Sequence, residues 1–155
     1  MKQHILKKVP LFVTVSVLLA CIVFSGCAGR TVITDAQFKS ACEAADCEVT
    51  DVSDQFDSSV ITKALTVSGD DYSLGFFTFA STDSAKTNYA QMLSSVRTSE
   101  GKAVDSSEYN RYTYKGDDLT TVLYRNGTTI LFATGADKDL SLIHISEPTR
   151  LQLIS

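Results

Sequence analysis

The N-terminus most constrains this chain, because it sets where a folded domain can begin. The chain starts with Lys2, Lys7 and Lys8, and residues 11–24 then form an almost unbroken apolar run, LFVTVSVLLACIVF. This run is shorter than the roughly 18–20 residues that a membrane-spanning helix needs, and small residues follow it. Basic, apolar and small residues in this order are typical of an export signal. We therefore expect residues 1–26 to be removed and the folded part to lie outside the cytoplasm.

Phe24-Ser25-Gly26-Cys27 closes the apolar run and resembles the lipobox of bacterial lipoproteins. By that resemblance, the Cys27 sulfur receives a diacylglyceryl group, cleavage occurs just before it, and residues 27–33 form a tether. Two acyl chains hold a protein stably on a membrane, whereas one chain anchors it only marginally. Leu18-Leu19-Ala20-Cys21 also fits a loose lipobox, although cleavage there would leave an exposed apolar start. An unprocessed anchor is the third alternative.

The end of the sequence differs in character from the rest. Residues 140–150, LSLIHISEPTR, resemble one translated frame of a transposase-type sequencing adaptor, and residues 151–155 continue that match. We therefore expect native sequence to end near 137–139, inside the first turn of a third helix. This interpretation gives a single domain over 34–139 with its final helix missing, followed by a non-native tail over 140–155.

Charge and histidine content exclude several classes of function. The chain carries a formal charge of −4, and the part after the signal is more acidic because the signal contains three lysines. Such a domain should be repelled by phosphate backbones, so nucleic-acid binding is not expected. Both histidines, His4 and His144, lie outside 34–139, which removes the most frequent general base and metal ligand. With no G-x-S-x-G, G-x-G-x-x-G or Walker pattern either, we expect no enzyme, no metal and no cofactor.

Two segments carry helix signals. Thr34 and Gln37 have capping-box spacing, and the segment from Ser81 to Ser84 has N-cap chemistry. Apolar residues then recur at helical spacing in both segments. In the first they are Phe38, Ala41, Cys42 and Ala45; in the second they are Ala85, Tyr89, Met92, Leu93 and Val96.

Six segments are predicted to be strands: 47–52, 60–67, 72–79, 109–114, 119–125 and 128–134. Hairpin turns are predicted at Gly69-Asp70-Asp71 and Gly116-Asp117-Asp118, which lie 47 residues apart, and a type I′ turn at Asn126-Gly127. The spacing hints at a helix and three strands used twice, and the polar stretch 98–107 is interpreted as a mobile loop. We expect an α+β fold in two layers, an antiparallel sheet of about five or six strands with two helices on one face.

Cys42 and Cys47 are the thiols that remain after maturation at Cys27. One lies on the helix stripe and the other starts the next strand, so the two can approach each other across the helix end. A disulfide is permitted outside the cytoplasm, and both a disulfide and two packed free thiols remain open. The spacing is not Cys-x-x-Cys, which disfavours redox catalysis.

Other polar and aromatic residues are better explained by structure than by chemistry. Asp51, Asp54 and Asp57 match no calcium loop, so we interpret them as turn and cap residues. Four tyrosines are expected to be half-buried sheet residues rather than a ligand platform; they are Tyr109, Tyr112, Tyr114 and Tyr124.

Several short pieces between about residues 34 and 134 resemble one family. They are Asp35-x-x-Phe38, Val49-Thr50-Asp51-Val52, Leu74-x-Phe76, Ser84-Ala85, Tyr109-x-x-Tyr112 and Arg125-Asn126-Gly127-Thr128. The domain is similar, through these pieces, to small uncharacterised lipoproteins of Gram-positive bacteria. It departs from them at Asp46-Cys47, where Gly-Tyr is more frequent.

That resemblance implies surface attachment and no known activity. We expect a membrane-anchored, extracytoplasmic, non-enzymatic binding or interaction module, held by its lipid anchor and with a protein partner in the envelope. The alternative is an accessory substrate-binding or envelope-assembly subunit of a membrane complex.

Overall fold

The structure is a computed structural model, and it describes residues 32–136. The signal, the Cys27 lipidation site, the start of the tether, the third helix and the tail over 140–155 lie outside the described residues. They remain predictions from the sequence.

Seven antiparallel strands form one open sheet in the order β1-β2-β3-β7-β6-β5-β4. The strands are β1 (Thr50–Asp51), β2 (Ile61–Ser68), β3 (Tyr72–Phe79), β4 (Lys102–Asp105), β5 (Tyr109–Lys115), β6 (Thr120–Asn126) and β7 (Thr129–Gly135). The helices of this part of the chain are α1 (Asp35–Ala44), α2 (Thr82–Val96) and a short 3-10 turn, Ser53–Gln55. The expected α+β class is therefore confirmed.

The expected count of five or six strands is wrong, because the segment interpreted as a loop contains β4. This strand pairs with β5, from Lys102 opposite Thr113 to Asp105 opposite Asn110. All four of its residues are exposed, so the alternation of apolar and polar residues that marks a half-buried strand is absent. At the other edge of the sheet, the strand predicted over 47–52 is reduced to the two residues of β1.

One face of the sheet, which we call the front face, packs against α1. Leu65 of β2 lies opposite Phe76 of β3, and both are fully buried beneath Phe38 and Cys42 of the helix. The Phe38 and Phe76 rings stack with their centroids 5.3 Å apart. Two aromatic rings in this arrangement contribute about 0.5–1.5 kcal/mol beyond their burial. This contact fixes α1 over the β2–β3 half of the front face.

The other face, the back face, packs against α2. Adjacent residues in a strand point to opposite faces, so Ala64 and Phe77 point away from α1. The back-face core joins Ala85 and Tyr89 of α2 to residues of five strands. Its buried sheet members are Ile61, Ala64, Phe79, Tyr112, Leu123 and Ile130.

The two helices thus lie on opposite faces of the sheet, and the expectation that they share one face is wrong. The apolar stripe of each helix predicts that it packs on a sheet, but does not specify which side. The ambiguity is greatest for β3, which carries Phe76 on the front face and Phe77 on the back face.

An internal repeat explains this arrangement. The elements α1-β1-β2-β3 and α2-β4-β5-β6 follow in the same order, and β7 lies between β3 and β6. Both β3 and β6 are antiparallel to β7, and therefore parallel to each other. A two-fold axis along β7 exchanges these strands and also exchanges the two faces, which carries α1 from the front to the position of α2 on the back.

Equivalent residues in the two halves are 47 positions apart, as the two hairpin turns indicate. The N-caps correspond, since the Thr34 side chain accepts from the Gln37 N–H and the Ser81 side chain accepts from the Ser84 N–H. The cores correspond as well: Phe76 lies under α1, and Leu123 lies under α2. The predicted repeat of a helix and three strands is therefore confirmed.

The β6–β7 turn differs from the predicted type. Asn126 is still paired in the sheet, opposite Thr129, so the two loop residues are Gly127 and Thr128. Gly127 has φ +57° and is the residue of this loop with a positive φ. A type I′ turn needs positive φ at both central residues, whereas type II′ needs it at the first. The turn is therefore of the II′ kind, with glycine in its usual place.

Candidate binding surface

One row of directly paired residues crosses the front face of all seven strands. The row runs Asp51, Leu65, Phe76, Leu131, Tyr124, Arg111, Val104. Helix α1 covers its β2–β3 part, whereas Tyr124, Arg111 and Val104 belong to neither helix-covered core. Because the repeat places α2 on the back, no described helix packs on the front of β4, β5 and β6.

We call this region the β4–β6 surface. Its members are the front-face residues of three strands, Lys102, Val104, Tyr109, Arg111, Thr113, Lys115, Thr120, Val122, Tyr124 and Asn126. The set contains three cationic side chains and no carboxylate, although the whole chain is acidic. Val104 is 37% exposed at the edge of the sheet, whereas Val122 near the centre is buried. Thr120 and Asn126 of β6 are buried as well, so the accessible part of the surface comes from β4, β5 and Tyr124.

The four tyrosines predicted to cluster are divided between the two faces. Tyr112 and Tyr114 point to the back face and pack in the core beneath α2. Tyr109 and Tyr124 point to the front, where their ring centroids are 6.5 Å apart at an interplanar angle of 38°. The expectation of half-buried residues is confirmed for three of them, whereas Tyr112 is fully buried.

Tyr112 has a defined structural role at the C-terminal end of α2. Its hydroxyl accepts a hydrogen bond from the Thr98 N–H (2.9 Å) and donates one to the Val96 carbonyl (3.3 Å). Gly101 makes room for this ring, since a Cβ there would lie 2.1 Å from the Tyr112 hydroxyl oxygen. Tyr112 is therefore a buried structural residue and is not accessible to a ligand.

A buried arginine lies on the back face, and no pattern in the sequence indicates it. Arg125 is 0% exposed, and burial lowers the pKa of its guanidinium. Its Nε donates to Asn110 Oδ1 (2.6 Å), and its two terminal nitrogens donate to the carbonyls of Gly127 (3.0 Å) and Ser107 (3.4 Å). Asn110 in turn donates to Asp105 (2.9 Å). The guanidinium thereby ties the β4–β5 turn to the β6–β7 turn.

Tyr89 of α2 lies near this arginine but is not part of its hydrogen-bond network. The ring is 4% exposed, and its hydroxyl has no hydrogen-bond partner. Burial raises the pKa of Tyr89 to about 12; the charge of Asp105 raises it further, and that of Arg125 opposes the shift. A neutral hydroxyl without a partner is a cost to stability rather than a catalytic group.

The predicted turn roles of the aspartates are seen at Asp51 and Asp57. Asp51 Oδ1 accepts from Ser53 N (3.1 Å) and Ser53 Oγ (2.6 Å), and its Oδ2 pairs with Lys63 Nζ at 2.5 Å. The hydrogen bond from Lys63, followed by those from Ser53, holds the pKa of Asp51 well below its usual value. In the same way, Asp57 Oδ1 accepts from Ser59 N (2.9 Å) and from Ser59 Oγ (2.7 Å).

The structure brings Cys42 and Cys47 together at the C-terminal end of α1. Both are buried free thiols and belong to the front-face core. Of the two alternatives left by the sequence, the structure therefore has the packed thiols.

Between residues 32 and 136, no group of three or more His, Cys, Asp or Glu side chains is placed to hold a metal ion. In the same range, no helix is long and apolar enough to cross a membrane.

Comparison with known proteins does not identify a family. No protein family and no curated protein matches the chain. One solved structure is similar, a GTP binding regulator from Thermotoga maritima, with 10% identity, 61% of this chain and 68% of that chain covered, and a TM-score of 0.39. A similarity this low supports no functional inference.

Proposed function

We propose that the protein is a membrane-anchored, extracytoplasmic lipoprotein whose folded domain is a non-enzymatic binding module. The signal region and Cys27 support the anchor, and the β4–β6 surface supports binding. The single observation that carries the binding role is the row Val104, Arg111 and Tyr124, which places an exposed valine, a cation and an aromatic ring next to one another at the edge of the sheet.

The composition of the surface is that of a protein contact. Tyrosine and arginine are enriched at interfaces, and they supply most of the binding energy in many complexes. Tyr124 and Arg111 lie directly opposite each other on β6 and β5, so they form one continuous patch. Tyr109 extends the patch along β5 towards the β4–β5 turn.

The charge of the surface indicates the chemistry of the partner. Lys102, Arg111 and Lys115 lie on one face, and no carboxylate of β4, β5 or β6 shares it. Complementary charge steers association and excludes partners of like charge. We therefore expect an acidic protein surface in the envelope as the partner.

Photo-cross-linking from single sites tests the binding role. Val104→p-benzoylphenylalanine places the cross-linker at the edge of the β4–β6 surface, and the same change at Val60 is a matched control, because these valines are 37% and 38% exposed. In membranes of the native host, a discrete cross-linked product is expected from position 104 and not from position 60. Adding Arg111→Glu should remove the product, whereas Lys86→Glu on α2 should not. Equal products from both valines would contradict the proposal.

Fatty-acid labelling in cells tests the anchor. A clickable fatty acid should label the wild-type protein and Cys21→Ala, and Cys27→Ala should abolish the label. Retention of the label in Cys27→Ala would contradict the lipidation site.

A further inference from the structure

The C-terminal end of α1 is a complete Schellman cap. The Asp46 N–H donates to the Glu43 carbonyl (3.0 Å), and the Cys47 N–H donates to the Cys42 carbonyl (2.9 Å). Asp46 has φ +54°, the left-handed conformation that this cap requires. In such caps, the residue after the left-handed one frequently makes an apolar contact with a side chain at the start of the last helical turn. Here these two residues are Cys47 and Cys42.

Cys42 and Cys47 therefore occupy the two positions between which this contact forms. Cys42 is 0% exposed and Cys47 is 9% exposed, and both pack in the core with Phe38 and Phe76. Burial, followed by the charge of Cys47, raises the pKa of Cys42 to about 11. Cys47 Sγ donates to the Ala45 carbonyl (3.5 Å) and lies 3.3 Å from the Tyr72 hydroxyl, so two polar groups can hydrogen bond to this sulfur.

We propose that Cys42 and Cys47 are a dithiol that closes into an intramolecular disulfide across the cap of α1, by exchange with an external disulfide. Disulfides need α-carbons about 4.4–6.8 Å apart, and a backbone hydrogen bond between the same two residues holds them close together. Cys42 and Cys47 are also the thiols left in the domain once Cys27 carries lipid. The pairing is therefore independent of what the β4–β6 surface binds.

The exchange proceeds in two steps when the cap frays. The Cys47 thiolate, from the more exposed of the two residues, attacks a sulfur of the external disulfide, which forms a mixed disulfide and releases one thiolate. Cys42 then loses its proton and attacks Cys47 Sγ, which forms the internal bond and releases the second thiolate. The two protons are taken up by the departing thiolates, and the external disulfide is reduced by two electrons.

Closure would secure the shorter of the two helices. α1 has 10 residues and no basic residue in its last turn, so it is below the length at which an isolated helix is stable. It also follows the predicted tether directly. A bond across its cap would prevent the helix from unwinding between the lipid anchor and the sheet.

The test uses the full chain in detergent, carrying Cys21→Ser and Cys27→Ala so that only the proposed pair remains. The folded protein is equilibrated with oxidised and reduced glutathione, quenched with acid, unfolded and alkylated with N-ethylmaleimide. Closure is expected to remove both alkylation sites. A glutamate-specific protease, which cuts at Glu43 between the two cysteines, should then leave two peptides joined only by the disulfide.

The equilibrium against glutathione separates a positioned pair from two cysteines that are merely near each other in sequence. We expect the equilibrium constant for closure to be at least about tenfold larger in the folded protein than in the same chain in urea. This corresponds to a difference of about 30 mV in the reduction potential of the disulfide. Asp46→Val cannot readily adopt the left-handed conformation, so it should lower the equilibrium constant for closure in the folded protein. Glu48→Val should not lower it. Two alkylated thiols at equilibrium, stable glutathione adducts, or equal values in buffer and urea would each overturn the proposal.

Discussion

Replacing Asp46 by glycine is expected to stabilise the protein by about 0.5–1 kcal/mol. A non-glycine residue in the left-handed region costs roughly 1–2 kcal/mol, somewhat less for aspartate, whose short side chain can hydrogen bond locally. The negative charge of Asp46 also faces the negative end of the α1 dipole, which costs about 0.3–1 kcal/mol. Glycine removes both costs, and its larger entropy in the unfolded chain returns roughly 0.5–1 kcal/mol of the gain.

Urea denaturation followed by circular dichroism measures this change. With a slope of about 1.5 kcal/mol per M, the midpoint for Asp46→Gly should rise by roughly 0.3–0.7 M. Asp46→Asn, which removes the charge and keeps a side chain tolerant of positive φ, should give a smaller gain. Asp46→Ala removes the charge but pays the full steric cost, so it should be clearly less stable than Asp46→Gly. Equal stability of the alanine and glycine variants would refute the left-handed cap.

Three further variants test individual contacts, each by the same denaturation measurement. Tyr89→Phe should leave stability unchanged or raise it by up to about 1 kcal/mol, because the hydroxyl it removes is buried without a partner; a loss above 1 kcal/mol would show that the hydroxyl is bonded. Arg125→Lys should cost about 2–4 kcal/mol, since an ammonium cannot reproduce the planar fork that binds Asn110 and two carbonyls; a loss below 1 kcal/mol would contradict this role. Asp51→Asn should destabilise the protein at pH 7. The depressed pKa of Asp51 contributes stability that is fully present above the unfolded pKa of 3.8 and is lost as the pH falls through the lower folded pKa, so the cost of the substitution should shrink progressively below about pH 4. An effect independent of pH would show that the pair with Lys63 does not form.

Local structure was largely predictable from the sequence, because it depends on neighbouring residues. The capping box at Thr34, the N-cap at Ser81 and the hairpin turns at Gly69 and Gly116 all lie where short-range spacing indicates. The repeat was also visible, since the same turn chemistry recurs 47 residues later. The β6–β7 turn differed because pairing with β7 extends to Asn126 and moves the loop by one residue.

Tertiary features were less predictable, because their signals are not local. Strand β4 is held by backbone pairing at an exposed edge, so its side chains carry no pattern. The face that each helix covers depends on whether the helix belongs to the first or the second half of the repeat. The odd separation of Tyr109 and Tyr112 already places them on opposite faces of β5, but which of these faces a helix covers is decided by tertiary packing. Arg125 looks like a surface residue in sequence, and its burial follows from the two turns that meet over it.

The Schellman cap could be recognised only from backbone conformation. Glycine is the usual left-handed residue of such a cap, so Asp46 gives no signal for it in the sequence.

The opposite placement of the two helices is the basis for the β4–β6 surface, and nuclear Overhauser contacts between side chains test it most directly. Cross-peaks are expected between the Phe38 and Phe76 rings, whose centroids lie 5.3 Å apart, and between Tyr89 and the back-face core at Leu123. Cross-peaks from Tyr89 to Phe76 or Tyr124 on the front face would contradict the arrangement and remove the surface on which the proposed function depends.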